Sequence, residues 1–154
     1  SAAIGELRDL ARGIAPPVLT NRGLGAAVEA LADRSVGEVT VQVDLPRRPA
    51  PVLESAVYFV VAEALTNAAK HAPGAPVRVA LSLDREVLRA EIADEGPGGA
   101  DAAGSGLTGL RHRVEALDGT VAITSEPGEG TTIVAQLPCA PVDESPRAAS
   151  SEGA

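Results

Sequence analysis

Between Val39 and Ile92 the spacing of hydrophobic residues changes twice, and this change constrains the fold more than any single residue does. Val39, Val41, Val43 and Leu45 alternate with Thr40, Gln42 and Asp44, which is the period of a half-buried strand. From Pro51 to His71 the period lengthens to that of a helix, with Leu53, Val57, Val60, Val61, Ala64 and Ala68 on one stripe. Pro51 suits a first helical turn, and Pro73-Gly74 closes the helix. Alternation then returns through Val77, Val79, Leu81 and Leu83 and again through Leu88, Ala90 and Ile92, with a turn at Asp84-Arg85-Glu86.

The flanks complete the outline. Ala2 to Gly13 reads as the end of a helix, stopped by Ile14-Ala15-Pro16-Pro17. A second helix is expected from about Gly23 to Arg34, with Asn21 as its cap. These N-terminal helices carry too little apolar surface to stand alone and should pack on the domain C-terminal to them or on a partner helix. Asp94 to Gly106 is a Gly-rich loop, and Leu107 to Leu117 is a helix closed by Asp118-Gly119, with Gly119 as the left-handed cap. Val121–Thr124 and Thr131–Leu137 form a last hairpin around Pro127-Gly128-Glu129-Gly130. The expected architecture is an α/β two-layer sandwich of about five mostly antiparallel strands under three helices, with an N-terminal helical segment.

Composition removes several functions. The chain has 154 residues, with 13 Lys+Arg against 21 Asp+Glu, so its formal net charge is −8. That balance disfavours a nucleic-acid coat or a binder of anionic membranes. The longest uncharged run, Gly130 to Val142, contains two prolines, so no bilayer-spanning segment is expected. Cys139 is the only cysteine, which excludes an internal disulfide and receives no functional role. Tyr58 and Phe59 are the only aromatic residues, leaving little to stack on bases. A chain that starts at Ser1 and lacks Met is expected to be a processed product or a piece of a longer protein.

Three groups of residues carry chemistry. Glu63, Asn67 and Lys70 share one flank of the Pro51–His71 helix, apart from its apolar stripe. A lone Glu or Lys there is ordinarily a solvated residue, but Asn is unfavourable inside a helix and needs a reason. A carboxylate, an amide oxygen and an ammonium together suit Mg2+ and phosphate. Asp94-Glu95-Gly96-Pro97-Gly98-Gly99 follows a strand directly, where a carboxylate can accept from an exocyclic amine while glycines admit a flat ring. Gly104-Ser105-Gly106-Leu107 then opens a helix, whose N-terminal N–H groups favour phosphate.

Taken together these residues resemble the ATPase superfamily shared by gyrase, sensor histidine kinases and MutL. Glu63-Ala-Leu-Thr-Asn67-Ala-Ala-Lys70-His71 resembles its N box, and Asp94-Glu-Gly96-Pro-Gly98 its first glycine box. Gly104-Ser-Gly106-Leu107 is similar to the second, and Gly128-Glu-Gly130-Thr131-Thr132 to the third. The resemblance spans residues 38–138. It implies a left-handed βαβ sandwich (the Bergerat-type fold) that binds ATP between a sheet and a mobile lid. It further implies that Asn67 holds Mg2+, that Asp94 reads the adenine amino group, and that Glu63 orients or activates near the γ-phosphate. Lys70 and the loop before Leu107 would contact phosphates, Thr132 would support Asp94, and His71, Gly96, Gly98, Gly104 and Gly106 would complete the nucleotide site.

A narrower resemblance is carried by Ala11-Arg-Gly13-Ile-Ala-Pro16-Pro-Val-Leu19 with Gly23-Leu24, which is similar to the segment joining dimerisation helices to the ATPase domain in nitrate-sensor-type histidine kinases. No Phe lies between Asp94 and Gly106, as in that short-lid subgroup; Ala15 departs from it where a His is often seen. The implied organisation is the end of a dimerisation region over 1–35, an ATP-binding catalytic domain over 36–138, and a disordered tail over 139–154. The implied activity is cytoplasmic protein-histidine kinase chemistry with ATP and Mg2+. Its implied partners are an acceptor His on the dimerisation domain of a homodimeric parent, and a response regulator of LuxR type. His71 and His112 are the only histidines, and neither suits that acceptor role. The rivals are an anti-sigma-factor-type serine kinase on the same fold, against which the segment up to Leu24 argues, and an ATP-binding module without phosphoryl transfer, against which Glu63 and Asn67 argue.

Overall fold

The computed structural model describes residues 15–98 and 107–139. The elements run α1 (Pro17–Arg22), α2 (Leu24–Arg34), β1 (Val39–Asp44), α3 (Pro51–His71), β2 (Val77–Asp84), β3 (Val87–Asp94), α4 (Leu107–Ala116), β4 (Thr120–Thr124) and β5 (Thr131–Pro138). The strands form one sheet in the order β1-β2-β3-β5-β4. Only β1 and β2 are parallel, because α3 carries the chain back between them; the other pairs are antiparallel. The expected α/β sandwich is therefore present.

The helices cover one face. Val79, Leu81, Leu88, Ala90, Ile92, Ile133, Ala135 and Leu137 point toward them and are buried, while the alternate residues form a polar open face. The expected stripe of α3 is buried, and so are Ala56, Tyr58, Phe59, Ala62 and Leu65 around it. Helices α1 and α2 lie on one side of α3, α4 touches it as well, and the sheet lies beneath. By length and mean hydropathy α3 meets the crude requirement for a membrane span, contrary to the expectation that no segment does. Most of that stretch is buried within the fold, which is why a core helix reads so apolar.

Several local expectations are corrected. The helix expected over residues 2–13 lies outside the described residues; Pro17 starts a helix of its own, at the position where its missing N–H costs nothing. Asn21 consequently lies inside α1, and Gly23 separates α1 from α2. At the end of α4 the left-handed residue is Asp118 (φ 65°), not Gly119. The Gly119 N–H donates to the Val114 carbonyl at 2.9 Å, and a Cβ there would press on the Gln136 carbonyl. Cys139, expected to open the tail, is buried in the core, and its N–H donates to the Glu86 carbonyl at 2.7 Å. Helices α1 and α2 do pack on the domain, burying Leu19, Leu24, Ala27 and Val28 in the same core as the sheet.

Candidate nucleotide-binding site

Asp94 is the last residue of β3, and by strand alternation its side chain shares the helix-covered face with Ile92 and Ala90. Its Oδ1 accepts the Gly96 N–H at 2.9 Å and the Thr131 N–H at 3.3 Å, so one oxygen is fixed by backbone. Among the described residues nothing donates to Oδ2. The carboxylate is half-buried. An acceptor held in this way, with its second oxygen available, is suited to a donor on a bound ring.

The glycines explain how the chain closes around it. A Cβ at Gly96 would collide with the Ala72 side chain at the end of α3, so a glycine allows the Asp94 loop to rest on that helix end. Gly130 has φ 74° and lies against the Asp94 carbonyl, closer than any side chain would permit. Gly98 lies against the Glu126 carbonyl, and the neighbouring Pro97 carbonyl accepts the Gly128 N–H at 2.6 Å. The first and third glycine boxes are thus joined directly through backbone. Gly104 and Gly106 lie outside the described residues, and Leu107 is the first residue of α4.

The threonine beside Asp94 is not the expected one. Asp94 pairs with Thr131, whereas Thr132 pairs with Ala93 and falls on the open face. Thr131 donates its N–H to Asp94, and its Oγ1 is 2.6 Å from Ser125 Oγ. The signal was present in the sequence: Ile133, Ala135 and Leu137 set the inward parity, which reaches back to Thr131.

Glu63, Asn67 and Lys70 lie on one flank of α3, with Glu63 and Asn67 half-buried and Lys70 and His71 exposed at its last turn. None of their side chains pairs with another described residue. Helix α3 ends where Ala72 meets Gly96, so this flank runs toward the Asp94 loop. A shallow depression lined by Thr40, Gln42, Arg78, Ala80, Glu91 and Ala93 belongs to the opposite face of the sheet and has no part in this arrangement. His112 is exposed on α4.

Sequence reading missed one charged residue altogether. Glu54, in the first turn of α3, is 2% exposed and is the only buried charged side chain among the described residues. Acids are ordinary at a helix start, so the sequence carried no sign of its burial.

A carboxylate anchored at a strand end, a glycine loop resting on the end of a long helix, and unpaired polar groups along that helix define an α/β nucleotide-binding domain. The Histidine kinase-, DNA gyrase B-, and HSP90-like ATPase family profile matches residues 52–141, and the chain belongs to that family. It is 33% identical over 148 residues to the oxygen sensor histidine kinase NreB of Staphylococcus carnosus (strain TM300), covering 90% of this chain and 43% of that protein. It is 25% identical over 146 residues to the sensor histidine kinase LiaS of Bacillus subtilis (strain 168), covering 90% of this chain and 41% of that one. Among solved structures, the histidine kinase domain of the blue-light activated histidine kinase of Erythrobacter litoralis EL346 superposes with a TM-score of 0.61 at 25% identity, over 76% of this chain and 59% of that chain. The chain spans less than half the length of these two sequence relatives. The ATP-binding domain of sensor histidine kinases is thus the part it resembles.

Proposed function

We propose that this chain is the catalytic part of a two-component sensor kinase: it binds Mg·ATP and supplies the γ-phosphoryl to a histidine on a dimerisation domain, for relay to a response regulator. The observation that carries the reading is a contrast in valence. Asp94 has one oxygen tied down by two N–H groups, while Glu63 and Asn67 are half-buried on one helix flank without a described partner.

Asp94 Oδ2 accepts the adenine amino group. Guanine presents an acceptor at that position, so two acceptors would face each other. Gly96, Gly98 and Gly130 keep the backbone close enough for the ring to enter. Among the described residues no cluster of three acidic, His or Cys side chains could hold a cation alone. The donors do fit Mg2+, which is held by few protein oxygens and completes its shell with phosphates and water: Asn67 supplies an amide oxygen. When bound, the ion draws charge from the phosphate oxygens. Lys70 and His71 lie at the phosphate end with the start of α4. Glu63 orients the incoming imidazole by accepting a hydrogen bond from the N–H of its non-attacking nitrogen, and takes that proton as the other nitrogen bonds to phosphorus. A P–N bond to that imidazole forms as the bond from the γ-phosphorus to the bridging oxygen breaks, and ADP leaves with that electron pair.

The narrower resemblance adds three parts to the reading. Residues 1–35 are the end of a dimerisation region, the cognate regulator is of LuxR type, and the site works in the cytoplasm. The test uses γ-labelled ATP. The chain alone takes up no acid-labile label, because neither His71 nor His112 is placed as an in-line nucleophile. Label appears on a separately added dimerisation domain that contains its acceptor His. Acid-labile label on the chain by itself, or none on any acceptor from a sensor kinase of this type, contradicts the proposal.

A further inference from the structure

Helices α1 and α2 meet at Gly23, which has φ 94° and ψ 176°. Residues other than glycine essentially do not adopt that conformation. Helix α1 has six residues, too few to persist unaided, and only Leu19 of it is buried. Helix α2 is better anchored, through Leu24, Ala27 and Val28. Beyond Leu19 and the half-buried Val18, what holds α1 is polar. Glu54 Oε1 accepts from Arg48 Nη2 at 2.8 Å, and Oε2 accepts from Arg48 Nε at 3.2 Å and from the Leu24 N–H at 3.3 Å. Arg48 Nη2 also donates to the Leu19 and Thr20 carbonyls at 3.3 and 3.4 Å.

The arrangement places a cation on the C-terminal carbonyls of α1 and an anion on the first N–H of α2. Both signs match the helix dipoles. The partners are unequally accessible: the Glu54 side chain is 2% exposed, that of Arg48 53%. Glu54 pulls the Arg48 pKa above its ordinary value through its hydrogen bond and its charge. The carboxylate is therefore a fixed element of α3, and the guanidinium is the part that can swing into water.

We infer that Gly23 is a hinge and the Arg48–Glu54 pair its latch, so that α1 swings on α2 when Arg48 lets go, while the sheet, α2 and α3 stay folded. The site flank and the latch share α3, with Glu63 about 13 Å along the helix from Glu54. The inference does not depend on what the site binds.

Residue-resolved amide exchange on the whole chain tests it. Arg48→Ala should speed exchange at Thr20 and Gly23, whose N–H groups bond within α1, by about tenfold or more, while amides of β2, β3 and β5 stay within about twofold. Gly23→Ala should give the same local pattern by straining the hinge. Arg48→Lys, which keeps the charge but loses the fork, should fall between Arg48→Ala and wild type. Arg78→Ala, which removes only an exposed pair with Glu95, should leave α1 unchanged. Exchange that rises evenly across the sheet in Arg48→Ala and Arg48→Lys would make the pair a source of global stability and overturn the latch. Unchanged exchange at Gly23 would overturn it as well.

Discussion

Glu54 and Glu63 stand about two and a half turns apart on the same helix and are put to opposite uses. Glu54 is closed off: its oxygens take two N–H groups of Arg48 and one of Leu24, and water barely reaches it. Glu63 is half-buried and pairs with no described residue. The first end of α3 spends its polar groups on joining helices, and the second keeps them available. A buried charge is tolerable only when paired and hydrogen-bonded, so Glu54 is committed to structure. A partly hydrated carboxylate without a partner costs little to maintain and can serve an incoming group.

The comparison is broken most severely if exchanging the two acids gives the wrong effects. With an acceptor domain supplied, Glu63→Gln should slow phosphoryl transfer by about a hundredfold or more, the scale of a lost general base. Mg·ATP affinity should move by less than about threefold in the same variant, as single-turnover and calorimetric measurements would read. Glu54→Ala should instead lower stability by about 1–3 kcal/mol, since it strands the buried Leu24 N–H. Urea unfolding checks this, and Glu63→Ala in the same assay should stay within about 1 kcal/mol of wild type.

Smaller effects sharpen the picture. Asn67→Ala should weaken nucleotide binding about tenfold in Mg2+ and much less in EDTA, because the lost oxygen serves the ion. Its thermal unfolding should stay close to wild type. The smallest change belongs to Arg78→Ala, since the exposed Arg78–Glu95 pair (3.3 Å) is worth at most about 1 kcal/mol, as a thermal melt would show.

How much of this was legible in the sequence depends on where each residue's partners lie along the chain. The strands were legible because one covered face forces a period of two, and α3 because Pro51 and Pro73-Gly74 bracket a helical period. Asp94 was legible as a strand end next to glycines. The misreadings occur where a residue's partner is distant in sequence. Asn21 looks like the cap of α2 unless Pro17 is known to start α1, a six-residue helix that the core and Arg48 hold in place. Nothing near Glu54 signals that an arginine in the β1–α3 loop and a helix start upstream both reach it. The parity of Ile133, Ala135 and Leu137 already separates Thr131 from Thr132, but only the pairing with β3 shows that this parity sets Thr131 beside Asp94.

The most direct test of the account is a calorimetric titration of ATP and GTP, with Mg2+, into the wild type and Asp94→Asn. Asparagine keeps the shape and an acceptor for the Gly96 and Thr131 N–H groups, so the fold should survive. Facing two acceptors costs about 1–3 kcal/mol, so the wild type should prefer ATP over GTP by about tenfold or more. Asp94→Asn should lose ATP affinity and narrow that preference. A wild type that binds both nucleotides equally, or a variant that keeps the full preference, would reduce Asp94 to a turn residue and contradict the account.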